Sequence, residues 1–282
     1  MSVLAVVNLM GGVGKTTTAV NVAHGLSVKA SANSGGRVLL LDMDPQGNCA
    51  TALGVDPGDR CISDLITGRR ALRESIIPDI ERERGGTGRT GLFLIPATER
   101  LVEATEELLI RDFQSYRRGR GERAGLDEIL TTHLGNLREA FSFIVIDCPP
   151  SLGSLTTAVY QFADKANVPV RTAMLDATGA AQHTAMINDM QREGLNITVS
   201  VILPTFFEPR QILARQVYQD LVDKYGRSRV AIPIVQSVIV QQAQAAGGQT
   251  LFEYQPAETS PATAAYQRLV DRLYAESREV VA

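Results

Sequence analysis

Cysteine is scarce in this chain. Its three cysteines, Cys49, Cys61 and Cys148, are unevenly spaced with no C-x-x-C pair. That argues against a disulfide framework and a cysteine-based metal centre, and suits a reducing compartment. Histidine is as rare: His24, His133 and His183 stand far apart, and each is expected to pack or lie at the surface. No stretch approaches the roughly 18–20 apolar residues of a membrane span. No charged-then-apolar leader precedes the first apolar run, so the protein is expected to remain in the cytoplasm. Charge is nearly balanced, with a formal net charge of −3, so any contact with nucleic acid needs a local basic patch. There is no internal repeat. The 282 residues, 44% of them hydrophobic, are enough to bury a substantial core.

What is present is an alternation of apolar runs with helix-like stretches. The runs fall at Val3–Val7, Val38–Leu41, Leu92–Ile95, Phe143–Ile146, Val168–Val170, Ile197–Leu203 and, more briefly, Val230–Ile234. Helical patterns lie between them at Thr17–Val28, Leu101–Ile110, Ala181–Glu193 and Ile212–Tyr225. Such βα alternation predicts an α/β fold, a mostly parallel twisted sheet with helices on both faces. One unit spanning 1–282 is expected, with flexible Arg- and Gly-rich loops near 79–91 and 112–125. The last helical pattern, Ala262–Ser277, places Tyr266, Leu269, Val270, Leu273 and Tyr274 on one face, a stripe that predicts core packing.

Directly after the first run the chain reads Asn8-Leu9-Met10-Gly11-Gly12-Val13-Gly14-Lys15-Thr16-Thr17-Thr18. Strand, glycine-rich turn, lysine and hydroxyls, then a helix, is how a protein holds a nucleoside triphosphate. Glycines let successive N–H groups turn inward around phosphate oxygens. Lys15 supplies a charge for the β- and γ-phosphates, and the Thr16 hydroxyl suits a Mg²⁺ that keeps most of its waters. The helix adds the positive end of its dipole. Two more runs end in carboxylates: Val38–Leu41 in Asp42-Met43-Asp44-Pro45-Gln46-Gly47-Asn48, and Phe143–Ile146 in Asp147-Cys148-Pro149-Pro150. In an open parallel sheet ligands sit beyond the carboxyl ends of the strands, where both segments would lie.

Gly11–Thr18 resembles the deviant Walker A loop of the ParA/MinD family of dimerising P-loop ATPases, KGGVGKTTT. Asp42–Asn48 resembles its DxDPQGN segment, and Ile146–Gly153 its IDxPPSLG region. Likeness continues through Leu203–Val217, Gln249–Pro256 and Ala264–Tyr266, and the length matches the short ParA form. One position departs: Met10 stands where the family carries a signature lysine.

The resemblance implies a ParA-like ATPase that binds ATP and Mg²⁺, forms a homodimer on ATP, and partitions a plasmid or chromosome or positions another cargo. It assigns nucleotide contacts to Gly11, Gly12, Val13, Gly14, Lys15, Thr16, Thr17 and Pro233. Mg²⁺ falls to Thr16, and to Asp147 through water. Asp44 orients the attacking water, Asp42 supports Mg²⁺-bound water, and Lys15 serves the phosphates in catalysis. Implied partners are a ParB-like or cargo-adaptor protein and non-specific DNA, with nucleoid association. Membrane binding is not expected, because Asp271, Glu276 and Glu279 on the last helical stretch offset Arg268, Arg272 and Arg278. Arg210, Arg215 and the Arg117–Arg123 cluster are the candidate DNA contacts, since Gln236 and Ile239 stand where many chromosome-binding members carry arginines. Met10 predicts impaired hydrolysis unless another cation, Lys165 or Arg210, replaces the lysine. Two alternatives stay open: a nucleotide-gated recruitment module with little hydrolysis and no DNA binding, and a metabolic P-loop enzyme.

Overall fold

The computed structural model describes residues 1–117, 128–151, 153–173 and 176–279. In chain order its elements begin β1 (Ser2–Val6), α1 (Lys15–Ser34), β2 (Val38–Asp42), α2 (Asn48–Leu53), α3 (Ile62–Ile66), α4 (Leu72–Ser75) and β3 (Leu92–Ile95). There follow α5 (Arg100–Arg117), α6 (Ile129–Leu134), α7 (Leu137–Ala140), β4 (Phe143–Asp147), α8 (Ser154–Phe162) and β5 (Lys165–Arg171). The chain then forms α9 (Asp176–Arg192), β6 (Thr198–Thr205), α10 (Ile212–Tyr225), α11 (Val238–Ala245), α12 (Leu251–Tyr254) and α13 (Pro261–Glu279).

The six strands form one sheet in the order β3-β2-β4-β1-β5-β6, and every pairing is parallel. A parallel sheet needs crossover connections, which cover both its faces, so its strands read as unbroken apolar runs. Val3 and Ala5 of β1 join Leu39, Leu41, Ile144 and Ile146 in the core on one face. Leu4 and Val6 join Leu40, Phe143 and Val145 in the core on the other. This is the period-two alternation of a strand buried on both sides.

On the second face α1 lies against α12 and α13, and the approach is close. Thr18 Oγ1 lies 3.1 Å from Tyr266 OH, and a Cβ at Gly25 would sit 2.6 Å from Val270 Cγ2 and 2.9 Å from Phe252 Cε2. Gly25 therefore costs helix propensity but lets three helices meet. The stripe of α13 is buried at Tyr266, Leu269, Val270 and Leu273, which settles it as core. His24 packs here too, with Nδ1 2.7 Å from Thr250 Oγ1 and its ring edge-on to Phe252.

Two expectations need correction. The run Val230–Ile234 does not form a strand; it follows the β6 edge through isolated parallel bridges, Ile202 with Val230 and Phe207 with Val235. Pro204 and Pro233 lack the N–H that a continuous ladder requires. The segment 79–91, expected to have little to bury, holds fully buried Thr87 and a nearly buried Arg89. The Arg89 guanidinium donates to the carbonyls of Leu53 and Gly248 and to Glu253 Oε2, at 3.0, 2.7 and 2.8 Å. Of the segment 112–125, Asp112–Arg117 completes α5 and the rest lies outside the described residues.

Because Val270 is β-branched and fully buried, it has no room to yield to a larger residue at Gly25. We expect Gly25→Val to lower unfolding stability by about 1–3 kcal/mol, the usual cost of overpacking. Urea denaturation reads this directly; an unchanged midpoint would mean that the helices are less tightly apposed.

Candidate functional site

Residues 7–14 link β1 to α1 at the carboxyl edge of the sheet. Gly12 and Gly14 adopt left-handed backbone, with φ of 72° and 86°, which an L side chain would resist. The loop is held from three directions. Asn8 Nδ2 donates to the carbonyl of Pro169 at 2.6 Å, while Asn8 Oδ1 accepts from Met10 N at 2.9 Å. Thr205 Oγ1, at the end of β6, donates to the carbonyl of Val13 at 2.9 Å. The first helical bond, Thr18 N to the Gly14 carbonyl, is 2.9 Å. Gly11 and Gly12 are exposed at the crest, Val13 is buried beneath it, and Thr16 and Thr17 are half-buried.

Lys15 is 7% exposed, and its ammonium donates to the carbonyl of Met10 at 2.9 Å. Burial lowers its pKa, and the nearby Asp147 and Asp44 carboxylates pull it back up. A lysine so placed holds its charge over the loop, where phosphate oxygens would lie.

The two acidic segments meet here. In the register of β2 with β4, Asp42 stands opposite Asp147, and both are fully buried. Asp42 accepts backbone N–H bonds from Asp44 at 3.0 Å and Cys49 at 3.1 Å. Asp147 accepts from the Cys49 thiol at 3.5 Å, while its Oδ1 has no hydrogen-bond partner. Burial, with the charge of Asp42 beside it, raises Asp147 to about 8. Burial also raises Asp42 to about 6, against the pull of its two backbone N–H bonds. A buried acceptor without a partner beside a second carboxylate is the arrangement a divalent cation relieves, so these residues fit a Mg²⁺. Asp44 opens a turn: its side chain accepts from Gln46 N at 3.0 Å and its carbonyl from Gly47 N at 2.9 Å. Gly47, at φ 64°, is required there, because a Cβ would lie 2.5 Å from the Ala97 carbonyl.

Beside the loop lies a cavity of about 290 Å³, with Gly14 and Thr17 on one wall and Phe206, Gln236, Ser237 and Gln244 on others. Phe206 has an unusual backbone for a bulky residue, at φ 51°. Its carbonyl accepts from Thr172 Oγ1 at 3.2 Å, and the Arg171 guanidinium lies over its ring at 5.2 Å. An aromatic face with carboxamides around it suits a purine base. Phe206 lies inside the Leu203–Val217 segment read as family-like and Arg171 in no such segment, and neither is singled out by the sequence. Gln236, read for its bearing on DNA, faces this cavity. Pro233 lies just outside its lining. Lys165 begins β5 and pairs with Glu276 at 3.0 Å, while Arg171 at the end of the same strand lies over the Phe206 ring.

A family model described as an AAA domain matches residues 1–201. The chromosome-partitioning ATPase Soj of Thermus thermophilus is 33% identical over 278 residues, spanning 98% of this chain and 96% of that relative. The chromosome partitioning protein ParA of Myxococcus xanthus is 32% identical, over 87% of this chain and 79% of that one. This chain belongs to the ParA/MinD family.

Solved structures of the same fold include a Mycobacterium smegmatis cobyrinic acid a,c-diamide synthase with an ATP analogue and magnesium. Its TM-score is 0.73 at 29% identity, over 97% of this chain and 94% of that one. The ATP complex of a Cyanothece McdA variant has a TM-score of 0.77 at 20% identity, over 98% and 96% of the two chains, and shares the fold.

The carboxylate pair sets a pH dependence. Asp147 and Asp42 hold protons more tightly folded, at about 8 and about 6, than at the ordinary 3.8 of the unfolded chain. Where the folded state binds more protons, stability falls as pH rises. Their contribution therefore declines between about pH 4 and about pH 8 when no cation is bound. Melting temperature in chelator should fall across this range, and more shallowly in Asp147→Asn; equal slopes would contradict the desolvation argument.

Proposed function

We propose that this protein is a ParA-type ATPase, working as a single unit, that binds ATP·Mg²⁺, dimerises on ATP and partitions DNA or positions another large cargo. The observation that carries the reading is the convergence at the sheet's carboxyl edge. There the Lys15 ammonium rests on the Met10 carbonyl, next to the register-paired Asp42 and Asp147, with Asp147 Oδ1 unpartnered. Phosphoryl transfer is chiefly a matter of positioning and charge stabilisation. Gly11–Thr17 cradle the phosphates by backbone N–H groups and Lys15 neutralises them. Thr16 would hold Mg²⁺ directly and Asp147 through water, and the ion would supply further charge stabilisation at the phosphates. Asp42 would support a Mg²⁺-bound water, and Asp44, on the turn before α2, would orient the attacking water. The base enters the cavity beside Gly14, near Phe206 and the segment containing Pro233.

The cargo is reached through a ParB-like or adaptor protein, and DNA, where it is the track or cargo, is held without base preference. Arg210 and Arg215 are exposed near the start of α10, among the exposed apolar residues Ile212 and Leu213. They remain the candidate phosphate contacts, and binding through them would be steeply salt-sensitive. Among the described residues no helix is long and apolar enough to cross a membrane. The proposed place of action is the cytoplasm, and the nucleoid when DNA is bound.

A second reading, a nucleotide-gated recruitment module with little hydrolysis, is favoured by Met10. Its side chain is 37% exposed at the crest of the loop, and a thioether offers phosphate oxygens nothing. Losing one well-placed charge from a transition state commonly costs on the order of 10²–10³ in rate. Arg171, next to Phe206 at the same edge, is the cation placed to compensate in part.

Two measurements test these readings. Lys15→Ala removes a charge aimed at several oxygens, so ATP·Mg²⁺ affinity should fall at least about tenfold in calorimetry; unchanged affinity would remove the basis of the nucleotide site. Met10→Lys should raise both hydrolysis and ATP-driven dimerisation, hydrolysis by up to about 10²–10³-fold. If the native chain already turns over as an ATP dimer and the lysine adds nothing, the account of position 10 fails.

A further inference from the structure

The second residue of α2 is Cys49, and the ATPase reading gives its thiol no role. The side chain is fully buried, at the floor of the site rather than at its rim. Gly47, in left-handed backbone, turns the chain so that α2 begins over the ends of β2 and β4. This brings the Cys49 N–H to Asp42 Oδ2 at 3.1 Å and the thiol to Asp147 Oδ2 at 3.5 Å, although Cys49 and Asp147 are 98 residues apart in sequence. One donor atom from each of Asp42, Cys49 and Asp147 falls within 4.8 Å of the others. A second, separate observation points to a ligand: Asp147 is wholly buried and its Oδ1 has no hydrogen-bond partner.

Two carboxylates and a sulfur form a different donor set from the one magnesium prefers. Mg²⁺ takes oxygens and keeps several waters, and a thiol is of little use to it. Zinc-like ions bind sulfur at about 2.3 Å and carboxylate oxygen at about 2.0–2.2 Å, and a tetrahedral angle between such bonds separates the donors by about 3.6 Å. The thiol-to-Asp147 distance of 3.5 Å is close to that spacing, and all three donor atoms lie within 4.8 Å of one another.

We propose that Asp42, Cys49 and Asp147 form a site for one thiophilic divalent cation of the zinc and cadmium class, with Cys49 as the ligand that sets this preference. Binding forms a metal–sulfur bond and two metal–oxygen bonds. The thiol proton, and any proton on the carboxylates, passes to solvent, and nothing is oxidised or reduced. The fourth position is left for water. An ion held here engages the carboxylates assigned to Mg²⁺, so it excludes productive Mg²⁺–nucleotide binding and turns the floor of the site into an inhibitory one. The cation site rests on the cluster itself; only its inhibitory consequence rests on the ATPase reading.

The test uses the full-length, nucleotide-free protein titrated with Cd²⁺ alone. Binding is followed by the ultraviolet thiolate-to-cadmium charge-transfer band, and stoichiometry by equilibrium dialysis. One ion per chain with the band is expected. Cys49→Ser should abolish the band and weaken binding at least about tenfold, while Cys61→Ser and Cys148→Ser keep both. Asp147→Asn, which leaves the thiol in place, should also weaken binding at least about tenfold, so the idea stays testable if Cys49→Ser melts early. No band in the native chain, a band that survives Cys49→Ser, or one that disappears with Cys148→Ser would overturn the site. Loss of ATP binding with an intact cadmium band would instead sink the ATPase reading and leave this one standing.

Discussion

The site depends on the forced neighbourhood of two buried carboxylates. Parallel pairing of β2 with β4 places Asp42 beside Asp147 at the same level, and both are closed off from water. Like charges in a desolvated pocket are unfavourable unless a proton, a lysine or a cation intervenes. Lys15, drawn over the same edge by the turn into α1, is the cation the fold itself supplies. The Oδ1 atom of Asp147 is left without a hydrogen-bond partner.

The rest of the molecule can be understood as the support that keeps these groups in place. β1 lies between β4 and β5, so the phosphate loop rises next to Asp147 on one side and the end of β5 on the other. Asn8 ties the loop to Pro169 of β5, and Thr205 ties it to β6. α1 carries Lys15 and is fixed in turn by the close contact of Gly25 with Val270 and Phe252. Further out, the buried Arg89 fastens the end of α2 to the turn after α11, which joins the acidic side of the site to the wall of the cavity beside the loop.

Met10 and Cys49 mark the two levels of the site. Met10 is exposed at the crest of the loop, where its thioether carries no charge, and Cys49 is fully buried at the floor, its thiol 3.5 Å from Asp147 Oδ2.

The phosphate loop and the strands were legible in the sequence because each is written within a few adjacent residues. A run of branched apolar residues makes a strand buried on both faces. GGVGK makes a turn only because glycine accepts left-handed backbone at Gly12 and Gly14. The roles expected for Lys15, Asp42, Asp44 and Asp147 came from the resemblance of three short segments to the family's motifs, while the residues alone showed two apolar runs ending in carboxylates. Tertiary structure alone decided that Asp42 faces Asp147, that Cys49 joins them, that Phe206 and Gln236 line the cavity beside the loop, and that Arg89 is interior in a segment that reads as exposed loop. It also reduced Val230–Ile234 to isolated bridges, because two prolines on adjoining segments interrupt one ladder. These are matters of register and burial. They depend on which distant residues are brought into contact, and no local window of the chain contains both partners.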